Sequence, residues 1–116
     1  MKLTLPYPPS VNHYWRMARG RFYISPEGRA YRDTVILMLL HMPDRRAFSK
    51  SARLKVSISL HPPDRRRRDL DNALKAVLDA LQHAGLYADD CQIDDLRIVR
   101  GEPIKTGVAT VSISQT

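Results

Sequence analysis

Cysteine is almost absent from this sequence, and long apolar runs are absent altogether. Cys91 is the one cysteine among 116 residues, so the chain can form neither an intrachain disulfide nor a CxxC metal knuckle. The longest apolar run, from Val35 to Leu40, is far too short to cross a membrane. The N-terminal string MKLTLPYPPS lacks the apolar core of a signal peptide. We therefore expect a cytoplasmic protein with no membrane partner.

The common cofactor and triad motifs are also missing. The four histidines are dispersed and show no HxxxH spacing, so a zinc site is not expected. The sequence contains no G-x-G-x-x-G string and no P-loop, and spacing identifies no Ser/His/Asp set. These absences leave the acidic residues as the main catalytic candidates.

Acidic residues are scarce outside one short segment. Residues 1–68 carry fifteen Lys and Arg against four Asp and Glu, a net charge of +11. Residues 69–95 carry seven aspartates against Lys75 alone, a net charge of −6, within a chain of net charge +7. A cationic body with one acidic segment suits a protein that binds a polyanion and also holds a metal. Basicity alone would also fit a ribosomal or membrane-surface protein.

A chain of 116 residues is long enough for one domain with a modest core and too short for two. Alternation over Arg53–Leu60 predicts a half-buried strand, and an amphipathic helix is predicted from about Asp69 to Ala84, with Gly85 as its stop. The other predicted elements are strands at Lys2–Leu5, Gly20–Ile24, Leu96–Arg100 and Val108–Ser114, a helix from a Ser25 cap to about His41, and a flexible loop at Pro43–Ser51. The expected fold is α+β: a single domain over residues 1–116, with two helices packed on a small mixed β-sheet of four to five strands.

Four residues of the acidic segment form a candidate hydrolytic site. Asp69 and Asp71 are separated by one residue where a loop enters the predicted helix, so their carboxylates can converge on one cation. Lys75 lies about 40° around the helix from Asp71, close enough to orient an attacking water or stabilise developing charge. Asp89 and Asp90 follow the turn and can fold back to supply a third carboxylate. Phosphodiester hydrolysis needs this chemistry, because Mg²⁺ held by a few carboxylates neutralises phosphate charge and lowers the pKa of bound water.

The same residues also have an ordinary structural interpretation. Asp69 can act as the helix N-cap, and Asp71 with Lys75 can form a surface ion pair at i,i+4 spacing. Asp79, about 80° from Asp71 on the same face, is a pairing partner for Lys75 rather than a metal ligand.

Arginines stand immediately before these carboxylates. A planar guanidinium offers a fork of donors that matches a phosphate, so the run is a candidate DNA-binding element. In the segment PPSVNHYWR, Asn12 is a candidate for DNA contact or for bracing the metal site, Arg16 is a candidate for phosphate contact, and Trp15 is expected to fill the core. The predicted DNA-binding residues are thus Arg65, Arg66, Arg67, Arg68, Asn12 and Arg16.

Three strings together resemble a known family. RRRRDLDNALK, DALQHAGLYADDCQ and LPYPPSVNHYW are similar to segments of the RusA family of phage and bacterial Holliday junction resolvases, in order and spacing over nearly the whole chain. The resemblance implies a homodimer that binds four-way junction DNA and makes paired symmetric nicks with Mg²⁺, for which Mn²⁺ can substitute. It also implies Asp69, Asp71 and Asp90 as the catalytic and metal-binding carboxylates and Lys75 as the essential lysine. Residues 42–52 carry no recognised family pattern.

The expected function is therefore a structure-selective, Mg²⁺-dependent DNA endonuclease that resolves Holliday junctions during recombination and repair. Two alternatives stay open. One is a non-catalytic basic nucleic-acid-binding protein, in which the carboxylates only set charge and cap a helix. The other is a Mg²⁺ nuclease that acts on flaps, replication forks or RNA.

Overall fold

The computed structural model describes residues 1–42 and 47–116, so residues 43–46 of the predicted loop lie outside the described part. Within these described ranges, three α-helices and six strands follow one another. Their bounds are β1 Lys2–Pro6, α1 Val11–Tyr14, β2 Trp15–Ala18, β3 Arg21–Ile24, α2 Pro26–Leu40, β4 Leu54–His61, α3 Asp71–His83, β5 Ile93–Arg100 and β6 Val108–Gln115, with a short 3-10 turn at Asp90–Gln92 before β5.

The main sheet has four strands in the order β1-β6-β4-β5. The pair β4/β5 is parallel, and the pairs β1/β6 and β4/β6 are antiparallel. The predicted α+β class with a mixed sheet is therefore confirmed. Alternation in β4 buries Leu54, Val56, Ile58 and Leu60 on one face, as the period-two pattern predicts. Parallel strands need a crossover connection, and α3 forms it between β4 and β5. The crossover contains the acidic segment from Asp69 to Asp90, and the last two acidic residues, Asp94 and Asp95, lie in β5.

The prediction of two helices was wrong. The additional helix is α1, which is only four residues long and leads directly into β2. Strand β2 forms a separate two-stranded hairpin with β3. Elements of four residues hold only one helical period or two strand periods, which is too short a pattern for periodicity to reveal them. The strand predicted at Gly20–Ile24 is β3, and it pairs with β2 rather than with the main sheet.

Side chains from the sheet and the helices form one hydrophobic cluster. Helix α3 contributes a continuous buried face that includes Ala73, Ala76, Val77 and Leu81, which confirms the predicted amphipathic helix. Helix α2 begins as predicted, with the Ser25 hydroxyl accepting a hydrogen bond from the Gly28 amide at 2.9 Å. No helix in residues 1–42 or 47–116 is long and apolar enough to span a bilayer.

Candidate active site

The chain folds back along α3 after the helix ends. Gly85 adopts a left-handed φ of 81°, and the Tyr87 hydroxyl then donates to the Leu78 carbonyl at 2.6 Å. The Asp90 amide donates to the side-chain oxygen of Gln82 at 3.2 Å. As a result, an Asp90 carboxylate oxygen lies 3.7 Å from the Lys75 ammonium. Two of the predicted site residues, fifteen positions apart in sequence, therefore face each other.

The neighbouring Asp89 is engaged differently. Its carboxylate accepts from the Cys91 amide at 2.9 Å, and the Gln92 side chain accepts from the Asp89 amide at 3.2 Å, a reciprocal capping box around the 3-10 turn. The hydrogen bond from the Cys91 amide is the largest cause of a lowered pKa at Asp89, with smaller contributions from the Cys91 side chain, Asp90 and Lys75. Asp89 thus shapes the turn, while Asp90 faces Lys75.

Asp69 and Asp71 lie at the entry of α3 with exposed carboxylates. Asp69 is not the N-cap: the cap position is Leu70, which has helical backbone angles, and no side chain caps the helix. The alternative of an Asp71–Lys75 ion pair is also wrong, because Lys75 pairs with Asp90. Neither carboxylate has a hydrogen-bond or salt-bridge partner among the residues that the structure describes.

The three predicted metal-binding carboxylates do not form a ready-made cluster. No group of three His, Cys, Asp or Glu side chains that could hold a metal ion occurs within the described ranges. Mg²⁺ does not require one, since it is commonly bound by one or two carboxylates and completes its shell with water and substrate phosphate. Asp69 and Asp71 offer hard oxygen ligands that have no partner in residues 1–42 or 47–116, so the donor chemistry fits this ion.

A pocket of about 380 Å³ brings the N-terminal segment to Asp69. The polar groups around the Asp69 carboxylate are guanidinium, carboxamide, hydroxyl and imidazole side chains. Such groups suit contact with the phosphates and sugars of a nucleic acid. Three of these groups, Asn72, Ser10 and His13, were not predicted as site residues; the signal for Asn72 was its place directly after Asp71 in the string RRRRDLDNALK. The lining residues are Tyr7, Pro8, Ser10, His13, Arg67, Arg68, Asp69, Asn72 and Ala73.

The predicted arginine run lines an adjoining cleft of about 730 Å³, together with Asp64, Arg100 and Glu102. Asp64 organises this run: its carboxylate accepts from the Arg68 guanidinium at 2.7 Å and from the Arg66 amide at 2.9 Å. These two hydrogen bonds, Arg68 first, lower the pKa of Asp64 to about 2.

The other arginines of the run differ in their partners. Arg65 makes a highly exposed ion pair with Glu102 at 3.3 Å. Arg67 has no such partner among the described residues, and it lines both the cleft and the Asp69 pocket, as Arg68 does. Arg67 and Arg68 therefore connect the cationic cleft to the pocket that contains Asp69.

Asn12 and Arg16 lie elsewhere. Asn12 is on α1 and Arg16 on β2, and both side chains are exposed. Asn12 lines a separate slot beside Trp15 and Phe22 rather than the pocket of Asp69, so its position does not support the predicted role of bracing the metal site. Trp15, expected in the core, is only half-buried and packs against the core edge.

Asp79 belongs to a polar network on the inner side of the helices. It accepts from the Arg32 guanidinium at 2.7 Å and from the Tyr14 hydroxyl, and it lies 3.7 Å from the His83 ring. Burial, followed by the hydrogen bond to Asp79, raises the pKa of Tyr14. The predicted pairing of Asp79 with Lys75 was therefore wrong, since this network joins α1, α2 and α3.

A cationic cleft that continues through Arg67 and Arg68 to the exposed carboxylate of Asp69 is typical of a nucleic-acid-binding protein with an acidic site beside its binding surface. The family described as Endodeoxyribonuclease RusA matches residues 6–114. The chain is 43% identical over 114 residues to the crossover junction endodeoxyribonuclease RusA of Enterobacteria phage HK97, covering 98% of this chain and 93% of that protein. It is 46% identical to the protein of that name from Shigella sonnei strain Ss046 and 45% identical to that from Escherichia coli strain K12, each over 97% of this chain and 92% of the relative. The chain belongs to the RusA family of endodeoxyribonucleases.

Proposed function

We propose that this protein is a crossover junction endodeoxyribonuclease, which nicks four-way junction DNA in a reaction that depends on Mg²⁺ and also proceeds with Mn²⁺. The observation that carries the proposal is the continuity of the arginine cleft with the Asp69 pocket through Arg67 and Arg68. A phosphodiester bound by these guanidinium groups would be held beside Asp69, one of the carboxylates that the chemistry requires. The family membership gives the same class of activity.

Asp69, Asp71 and Asp90 are the proposed metal-binding and catalytic carboxylates. A divalent cation held there would supply charge neutralisation at the phosphate and a hydroxide at neutral pH. Lys75 joins the two parts of this set, because it lies one turn beyond Asp71 and its ammonium is 3.7 Å from Asp90. Its proposed role is to stabilise negative charge that develops on the phosphate oxygens.

A four-way junction has two equivalent strands to cut, so paired nicks suit two active sites related by a two-fold axis. The proposed assembly is a homodimer of single-domain protomers that acts on cytoplasmic DNA in recombination and repair. Sedimentation at micromolar concentration tests the assembly, and a stable monomer there would contradict it.

The test of the activity is nicking of a synthetic mobile four-way junction by the purified chain, with Mg²⁺ and with EDTA. Linear duplex, a flap, a replication fork and an RNA junction of the same sequence serve as parallel substrates. We expect Mg²⁺-dependent nicks on the junction and at least tenfold slower cutting of the other substrates. Equal rates on linear duplex would refute junction selectivity, and binding without cutting of any substrate would favour a non-catalytic DNA-binding protein.

A further inference from the structure

The hairpin of β2 and β3 has one apolar face and one polar face. Direct pairing places Trp15 opposite Ile24 and Met17 opposite Phe22, and because strand side chains alternate, these four lie on the same face. The inner pair, Trp15 and Ile24, packs against the core. The outer pair does not: Met17 is 67% exposed and Phe22 is 75% exposed.

The exposed pair forms one wall of a slot beside α1. The slot has a volume of about 430 Å³ and is lined by Val11, Asn12, Trp15, Met17 and Phe22. Trp15 packs edge-on against Tyr14, with 5.2 Å between the two ring centres. The Arg32 guanidinium lies 5.6 Å from the centre of the Trp15 ring. Two aromatic rings, a thioether and one carboxamide are thus presented together to solvent.

The charged residues of the hairpin are all basic. Arg16 and Arg21 lie on the opposite face of the hairpin, and Arg19 stands at its tip. All three are exposed, and their side chains have no hydrogen-bond or ion-pair partner within the part of the chain that the structure describes. Arg19 and Gly20 both have positive φ, 51° and 74°, which is the type I′ turn that usually carries Asn or Gly at its first position. An arginine at that strained position places a cation at the tip.

We propose that this slot binds one unstacked nucleobase of the branched DNA substrate. An aromatic face and an amide are the groups that read a base by stacking and by hydrogen bonds to its edge, and the three arginines give the hairpin the positive charge that attracts a DNA strand. Phe22 is the stacking residue, and Asn12 is the polar contact. Unstacked bases are available at a branch point and absent from a continuous duplex, so the slot contributes selectivity for branched DNA. This inference rests on the proposed function for the identity of the substrate.

A second copy of this chain is the competing occupant of an exposed apolar face. The charges favour DNA, since no acidic residue lies on the hairpin, and a second hairpin or arginine cleft would bring like charges together.

Junction and duplex binding by three variants tests the slot. Dissociation constants are measured by fluorescence anisotropy in EDTA, where the strands stay intact, at one fixed salt concentration. The variants are Phe22→Ala, the aromatic replacement Phe22→Trp, and Leu37→Ala as a control that removes a side chain 56% exposed on α2. None of these side chains is part of the buried core, so the fold is expected to persist.

We expect Phe22→Ala to weaken junction binding between about fivefold and 150-fold, the range that corresponds to roughly 1–3 kcal/mol for one stacked base. Its affinity for duplex should change by less than twofold, and Phe22→Trp and Leu37→Ala should bind the junction as the wild type does. Equal loss on both substrates, or no loss on either, would overturn the proposal. A change in sedimentation of the DNA-free Phe22→Ala protein would overturn it in favour of a second copy.

Nicking by the wild type separates this test from that of the proposed function. If the wild type cuts junctions and Phe22→Ala binds them normally, the slot assignment fails and the nuclease assignment stands. If the wild type cuts nothing and Phe22→Ala still loses junction binding selectively, the slot stands and the nuclease assignment fails.

Discussion

Replacing Asp79 with alanine should destabilise the fold while leaving the chemistry of the site intact. Asp79 accepts hydrogen bonds from Arg32 and Tyr14, and the Arg32 and Asp79 side chains are only 17% and 15% exposed. After the Asp79→Ala change, Arg32 stays partly buried, and the Tyr14 hydroxyl at 3.1 Å is its one hydrogen-bond acceptor left among the described residues.

The size of the effect follows from these contacts. Two hydrogen bonds to a charged acceptor contribute roughly 1.5–3 kcal/mol each, and truncating one partner of a well-buried pair costs about 3–5 kcal/mol. Residual exposure reduces this loss, and alanine regains up to about 0.7 kcal/mol of helix propensity at position 79. We therefore expect the free energy of unfolding to fall by about 2–4 kcal/mol, which lowers Tm by roughly 4 °C for each kcal/mol in a domain of this size.

The matched control is Asp94→Ala. Asp94 pairs with Arg53 at 2.6 Å, but the two side chains are 47% and 51% exposed, so solvent screens the pair and the expected loss is much smaller than for Asp79→Ala. Urea denaturation of both variants and of the wild type measures the difference. Equal destabilisation by Asp79→Ala and Asp94→Ala would refute the argument that burial makes the Asp79 network the stronger support.

Three further predictions concern the site and its cleft. Lys75→Ala should slow single-turnover junction nicking by about 10²–10³-fold with junction affinity retained, as expected for a group that acts in the transition state; a loss below tenfold would contradict that role. Arg67→Ala should reduce the slope of log affinity against log salt by about 0.9, the release expected for one phosphate contact, and an unchanged slope would remove Arg67 from the interface. Because Arg68 lowers the pKa of Asp64 to about 2, the stabilisation from the ionised carboxylate should be present above the ordinary value of 3.8 and be lost as pH falls through about 2. Carbon-13 NMR should find the Asp64 midpoint near 2 in the wild type and nearer 3.8 in Arg68→Ala, and a wild-type midpoint near 3.8 would refute this cause.

Periodic segments were predictable from the sequence. The alternation in β4 and the apolar face of α3 each extend over several repeats of the sequence pattern. The face that the pattern predicts to be buried is therefore the face that the structure buries. The four-residue elements α1 and β2 were missed because they are stabilised by their contacts with longer elements rather than by a pattern of their own.

The candidate site was predictable in its residue types more than in its contacts. Helical spacing selected Lys75 and the family resemblance selected Asp90, and their contact depends on the fold-back after Gly85. The partners of Asp79 could not be inferred, since Tyr14 and Arg32 are 65 and 47 positions away and reach it only through helix packing. The position of Leu70 at the start of α3 likewise reflects tertiary placement overriding the local preference for an aspartate cap.

The central claim is that Asp69, Asp71 and Asp90 together support metal-dependent cleavage of branched DNA. The most direct measurement is single-turnover nicking of a four-way junction in Mg²⁺ by Asp69→Asn, Asp71→Asn and Asp90→Asn, with junction affinity measured in parallel. Asp94→Asn is the control, because its exposed carboxylate is paired with Arg53. We predict that each of the three variants loses nicking by at least 10²-fold and binds the junction as tightly as the wild type or more tightly, while Asp94→Asn cuts normally. Wild-type nicking by any one of the three would contradict the account.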